Sequence, residues 1–399
     1  MSASVFPSQA SRDDDVPLRY TASPLRLLRS DILLGLRCLW ALPKIVLPLT
    51  PWRSGKLDEL YPSPENIFCL AVHGCLVIFQ LGFLFSLPVC VIWMLPAFWT
   101  MAYAAVVLLV NRAICSFALN GPKRFLVSKV LDPNPAHLRE NWIFVNGMAI
   151  GHHWMQNEVN RLAYTFRREI TGVHNTTNGI VFDTIESIIQ RCFNYATQDT
   201  RDAYPLVKKA LLSPDYDKVV LILHSQGAIE GGQIIDWLLD EMPQEVLHNL
   251  EVYTFASVAN HFNNPRRSLE RSGQADARCI PYIEHYANSM DFVSLLGVLS
   301  FASVPNRYMG RLFVRQGSGH LLNQHYLDTM FTMGPNRSVL DHNEFMDSVV
   351  NADLLLEDAR GSLSHRLSNN ADGPGSTCKP VQVKDLSRLW EYRNGGVPG

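Results

Sequence analysis

Between Asn66 and Asn111 the chain carries no Asp, Glu, Lys or Arg, and its few polar positions are scattered among aliphatic and aromatic residues. A membrane-spanning helix needs about 20 apolar residues. The run therefore has room for two, over 67–87 and 89–110, with the bend at Pro88 or Pro96. Core helices of globular domains rarely stay apolar on every side for so long. The preceding stretch is patterned differently. Between Pro17 and Lys56, leucines and Trp40 are interleaved with seven basic residues, against the single acid Asp31. A basic amphipathic helix of this kind suits an anionic membrane surface or a place packed on a globular domain.

From Asn141 onward, short apolar runs alternate with stretches of helical period. The runs 142–146, 170–174, 219–224, 250–255, 282–286 and 311–315 read as strands; 154–167, 184–195, 229–239 and 321–331 read as amphipathic helices. Strands alternating with helices predict a mostly parallel, doubly wound α/β sheet. The polar N-terminus and the tail, rich in Gly, Ser, Asn and Pro, predict disorder. The expected organisation is a disordered N-terminus (1–16), a basic amphipathic segment (17–60), a membrane hairpin (61–120), an α/β domain (121–359) and a disordered tail (360–399). A linker of about twenty residues separates hairpin and first strand. It predicts a domain held close to the bilayer yet separable, so that a chain starting near Asn120 stays active on soluble substrates.

A formal net charge of −2 argues against a nucleic-acid partner. The eight cysteines contain no C-x-x-C pair and read as buried thiols in a reducing compartment. Basic residues flank the apolar run on both sides, so the positive-inside rule puts both ends on the cytoplasmic face. The expected site is the endoplasmic reticulum or another internal membrane. A hairpin that dips into one leaflet without crossing leaves the same sequence pattern.

The candidate chemistry lies where the apolar run Val219–Leu223 meets His224-Ser225-Gln226-Gly227 and a helical pattern begins. A serine on such a strand-to-helix turn is how a nucleophile elbow exposes its hydroxyl, although serine is also a favoured helix N-cap. The usual elbow is G-x-S-x-G. Here Leu223 stands two residues before the serine, so a neighbouring helix must offer it a small surface. A serine hydroxyl needs a base, and the base an orienting acid. Asp291, just past one predicted strand, and His320, on the glycine-bearing loop after the next, supply them in the order Ser, Asp, His. His325 and His342 are weaker alternatives. Gln226 and Met148 are the expected N–H donors to an oxyanion, with Asn146 and Gly147 beside them as expected substrate contacts. The adjacent His152 and His153 diverge by about 100° on a helix, so they read as cap or rim rather than metal ligands.

Several runs carry a resemblance: Phe144-Val145-Asn146-Gly147, Gly172-Val173-His174-Asn175, His224-Ser225-Gln226-Gly227, Asn260-His261-Phe262-Asn263-Asn264-Pro265 and Gly319-His320-Leu321-Leu322-Asn323. Over about 142–331 the chain resembles the fungal lipase-like α/β-hydrolases, a group of serine esterases. The resemblance implies an α/β-hydrolase fold with Ser225 as nucleophile. It leads to the expectation of a membrane-anchored serine hydrolase acting on an ester of a lipid or apolar small molecule, with no metal or organic cofactor. Rival expectations are an acyltransferase or thioesterase tailoring a secondary metabolite, or an inactive hydrolase-fold scaffold at the membrane.

Overall fold

The computed structural model describes residues 3–8, 23–129, 135–266, 278–350 and 380–399. An eight-stranded sheet organises them, in the order β1-β8-β7-β6-β5-β3-β4-β2. The strands are β1 (Ala3–Phe6), β2 (Phe125–Val127), β3 (Glu140–Val145), β4 (Ile170–Val173), β5 (Lys218–His224), β6 (Leu250–Phe255), β7 (Tyr282–Asn288) and β8 (Arg311–Arg315). The six strands from β4 to β8 across the middle are parallel, and β1 and β2 close the two edges antiparallel. The fold class is thus α/β, with a mixed, mostly parallel sheet.

Central parallel strands are covered on both faces and so read as continuous apolar runs. In β5 every residue from Val219 to His224 is buried. Successive side chains divide between two cores. Trp142, Phe144, Val220, Ile222, Tyr253 and Phe255 face one; Ile143, Val145, Leu221, Leu223 and Val252 face the other. The second is covered by α6 (Gln198–Leu212) and α7 (Gly227–Glu241), and the first by α4 (His152–Phe166), residues 322–331 and the C-terminal segment.

The apolar run forms two helices long and apolar enough to cross a membrane, α2 (Pro64–Ile92) and α3 (Ala97–Ile114), the latter continued to Asn120 by a π-helical turn. The bend is at Trp93–Pro96. Pro88 stays inside α2, in its last turn and a half, where few backbone bonds depend on it.

Three organisational expectations need correction. Residues 3–6, expected within a disordered N-terminus, are strand β1: Ala3 and Val5 point into the core and the backbone completes the edge of β8. Of the expected disordered tail, 360–379 lies outside the described residues, but 380–399 is packed. Val383, Leu386, Leu389, Trp390 and Tyr392 are buried, and Arg388 donates to Glu251 at 2.9 Å, below the start of β6. Its apolar residues recur at helical spacing, a signal hidden by the tail's average composition. Third, the segment before the hairpin, expected to lie apart from the α/β domain, packs on it. Helix α1 (Pro24–Cys38) is anchored through Asp31, which pairs with Arg191 of α5 (Ile180–Phe193) at 2.8 Å. Residues 44–59 bind the far end of the sheet, as described next.

Candidate active site

Strands β3, β5, β7 and β8 end at the same edge. Because β4 lies on one side of β3 and β5 on the other, the chain reverses direction there. Open α/β sheets place ligands in such a crevice. Val145 pairs with Leu223, so Asn146-Gly147-Met148 and His224-Ser225-Gln226 leave the sheet side by side.

Ser225 sits in the left-handed region, at φ +55°, a conformation that costs a non-glycine residue about 1–3 kcal/mol unless its surroundings hold it. They do: its N–H donates to Phe255 O at 3.0 Å, and its carbonyl accepts from Ala228 N at 3.1 Å. Helix α7 starts two residues on, at Gly227, where a Cβ would lie 2.5 Å from Val145 O and 2.7 Å from Asn146 O. Glycine is therefore required. The absent glycine at 223 has its counterpart in α7 itself: a Cβ on Gly231 would lie 2.1 Å from Leu223 Cδ1. The small surface expected from the sequence is Gly231.

The structure brings Ser225, His320 and Asp291 into one hydrogen-bonded chain. His320 Nε2 lies 3.0 Å from Ser225 Oγ, and Nδ1 lies 3.0 Å from Asp291 Oδ2. An ionised carboxylate can only accept, so Nδ1–H donates and Nε2 is left to take the serine hydroxyl. Asp291 is fully buried and also accepts from Ser294 Oγ, Tyr326 OH and Val293 N, each at 2.9–3.0 Å. Burial alone would raise its pKa. The imidazole of His320 and the two hydroxyls outweigh burial, and the carboxyl lies below its usual range.

Several supporting groups carry no sequence signal of their own. The His224 ring stacks 5.0 Å from that of His320 and donates through Nε2 to His320 O at 3.0 Å. Burial and the neighbouring His320 push His224 down to about 3, so it is neutral. Asn288 Nδ2 donates to Gly319 O at 2.8 Å. The pre-hairpin segment contributes as well. Lys44 O and Ile45 O accept from the N–H groups of Gly319 and His320, both at 2.9 Å. Glu59 accepts from Asn323 N at 2.8 Å and Gln324 N at 3.1 Å, capping the helical turn after His320. Such contacts, between residues over 260 positions apart, leave no trace in local pattern.

The oxyanion expectation is placed as follows. Gly147 packs directly on the serine, since a Cβ there would lie 2.8 Å from Ser225 Cβ. Among the described residues, no acceptor takes the backbone N–H of Gln226 or of Met148. The Gln226 side chain turns away, donating to Gln190 Oε1 at 2.7 Å. Asp183 fixes the other loop by accepting from Ala149 N, Thr177 Oγ1 and Asn178 N at 2.6–3.0 Å. Burial pushes the Asp183 carboxyl up to about 6. Asn146, an expected substrate contact, is instead committed to the backbone: its amide binds Gly147 O, Asn175 O and Asn175 N at 2.7–3.2 Å, tying the ends of β3 and β4 together. It is fully buried. A short polar residue at a strand end looks alike from sequence in either role.

The weaker histidines separate cleanly. His325 Nε2 donates to Pro48 O at 2.8 Å, and His342 is 94 % exposed. His153 pairs with Asn66 at 3.1 Å, and among the described residues no group of three or more potential metal ligands occurs.

Chemically, the chain from Asp291 to Ser225 can draw a proton from the serine and hold it on an imidazole whose charge the carboxylate offsets. Ser225 is only 1 % exposed. An open groove of about 410 Å³ lies between α3 and α5, lined by Leu108, Phe182, Ile185, Ile189 and Tyr195 together with Asn111, Arg112, Asn178 and Glu186. The opposite face of α5 touches Met148 through Ser187 and Gln226 through Gln190. No protein-family model matches this chain, and no curated protein matches it.

Proposed function

We propose that this protein is a membrane-anchored serine hydrolase of α/β-hydrolase fold, akin to the fungal lipase-like esterases. It would cleave an ester of a lipid or apolar small molecule, working from the cytoplasmic face of the endoplasmic reticulum or another internal membrane. The observation that carries this reading is the Ser225–His320–Asp291 chain, with both links at 3.0 Å and the serine in a strained elbow.

In this reading Ser225 Oγ attacks the ester carbonyl while His320 Nε2 takes its proton. Asp291 stabilises the imidazolium, and the N–H groups of Gln226 and Met148 bind the oxyanion. The proton passes to the leaving alcohol, and water then releases the acyl group from Ser225 by the reverse relay. The strain at Ser225 favours this role over a simple N-cap, which needs no positive φ.

A fluorophosphonate probe applied to the full-length protein in detergent tests the proposal. Stoichiometric labelling that Ser225→Ala abolishes is the expected result. Absence of labelling on a folded protein would reject it in favour of an inactive scaffold.

A further inference from the structure

The hairpin is longer than the part of it that is free to enter a membrane. One stripe of α2, Asn66, Cys69, His73, Leu76, Gln80 and Phe83, is buried against the α/β domain. Its amides bond to polar backbone: Asn66 Nδ2 to Tyr61 O at 2.9 Å, and Gln80 Nε2 to Asn178 O at 2.6 Å. On the returning helix, Asn111 Nδ2 donates to Asn178 O and Asn120 Nδ2 to Thr177 O, both at 2.8 Å. The loop after β4 that supplies the Asn178 and Thr177 carbonyls is irregular backbone, which lipid does not tolerate unless it is buried in protein. One face of each helix base is thus held against the domain at the level of this polar loop.

Between Phe83 and Val107 no residue is buried. The free arms are 84–92 of α2 and 97–106 of α3, joined by the turn at Trp93–Pro96. At about 1.5 Å per residue each arm reaches about 15 Å, half of the roughly 30 Å hydrocarbon core of a bilayer. Within the arms, Ser86 Oγ and Tyr103 OH pair with each other, 2.8 Å apart. The tip is strongly apolar and exposed, at 77 % for Trp93 and 89 % for Met94.

Where the hairpin leaves the domain, Phe83 meets Phe182 of α5, their rings 6.1 Å apart. Further along α5, Ile185, Ile189 and Phe193 are exposed. Helix α1, packed beside it, exposes Leu25, Ile32, Leu33 and Leu36 among Arg26, Arg29 and Arg37. An apolar collar with a basic fringe suits the interface of an anionic leaflet.

We propose that the hairpin enters a single phospholipid leaflet as far as its midplane and does not cross, with α1 and α5 lying in the interface around it. This rests on the membrane attachment in the reading above, and the test separates the two. The full-length protein, wild type and Met94→Cys, is reconstituted into phosphatidylcholine vesicles containing phosphatidylserine. Flotation with the vesicles reports attachment. A membrane-impermeant maleimide then probes the extra thiol in three conditions: intact vesicles, vesicles opened to the reagent by a pore, and detergent. Single-leaflet insertion predicts flotation, with labelling of the thiol added by Met94→Cys at least tenfold slower in both vesicle conditions than in detergent. Fast labelling once the pore admits reagent to the lumen would mean that the hairpin crosses. Fast labelling of intact, floating vesicles would mean that the tip is not inserted. Either result overturns the inference while attachment stands, whereas failure to float overturns attachment itself.

Discussion

Glu59 offers the sharpest test of whether the pre-hairpin segment belongs to the active-site architecture. Its carboxylate is fully buried and caps the N–H groups of Asn323 and Gln324, three and four residues after His320. Glu59→Ala leaves two buried donors without an acceptor. At about 1–3 kcal/mol each, the loss is about 2–6 kcal/mol, a large share of the roughly 5–15 kcal/mol that holds a typical domain together. Glu59→Gln keeps one acceptor oxygen and removes the charge, which gives the prediction a second axis. Burial pushes the Glu59 carboxyl from its ordinary 4.5 up to about 7, against N–H bonds that favour the charged form. The stability this group contributes is therefore fully present below pH 4.5 and is lost as pH rises through about 7. At 1.36 kcal/mol per pKa unit the span is worth about 3 kcal/mol. Wild type should accordingly lose up to that amount of stability relative to Glu59→Gln between pH 5 and pH 8. Asp58 and Glu158 are shifted upward too, so the comparison must be variant against wild type. Thermal unfolding of both full-length proteins at a series of pH values, with ester hydrolysis measured alongside, is the assay. Parallel pH profiles, or a Glu59→Ala protein as stable and active as wild type, would refute the reasoning.

Three further outcomes are expected. His320→Ala added to Ser225→Ala should cost little beyond the roughly 10⁴-fold or greater loss of the single change; multiplicative losses in kcat would separate the two residues. Gly231→Val should destabilise by about 1–3 kcal/mol through overlap with Leu223, and Leu223→Ala in the same chain should recover part of that loss; strict additivity in thermal unfolding would show that the two side chains do not share space. A chain starting at Asn120 should lose hydrolysis of soluble and membrane-embedded esters alike, because Lys44, Ile45, Pro48 and Glu59 no longer hold the His320 loop; full activity on soluble esters would show that loop to be self-supporting.

The central strands were legible because burial on both faces writes itself as an apolar run. The stretches 250–255 and 311–315 coincide with β6 and β8, and 219–224 misses only the first residue of β5. The edge strands were not. A three- or four-residue strand such as β2 or β1 has one neighbour and too short a period to stand out. Helix α6 was missed because Pro205 interrupts its pattern, although Thr197 caps its start. The serine, histidine and aspartate were readable from order and position after strand ends. What sequence could not reach was the support around them: Tyr326 on Asp291, His224 on the His320 carbonyl, Glu59 on the following turn. These depend on which distant segments fold together. The same blindness made 17–60 look separable, since its basic amphipathic pattern describes only the side that faces outward.

The pairing of β1 with β8 has a consequence for how the chain is made. Ala3 lies opposite Arg315, a residue synthesised more than 300 positions later. At about 5–20 residues per second, a ribosome takes roughly 15–60 s to cover that distance. The N-terminal strand has to wait unpaired for that time, while the apolar hairpin has long since emerged. The edge of β8 is likewise a bare template until β1 returns to it, the state in which strands recruit foreign chains. Early capture of the hairpin by a membrane would tether the nascent chain near its own start, so that the last strand made is closed by the first.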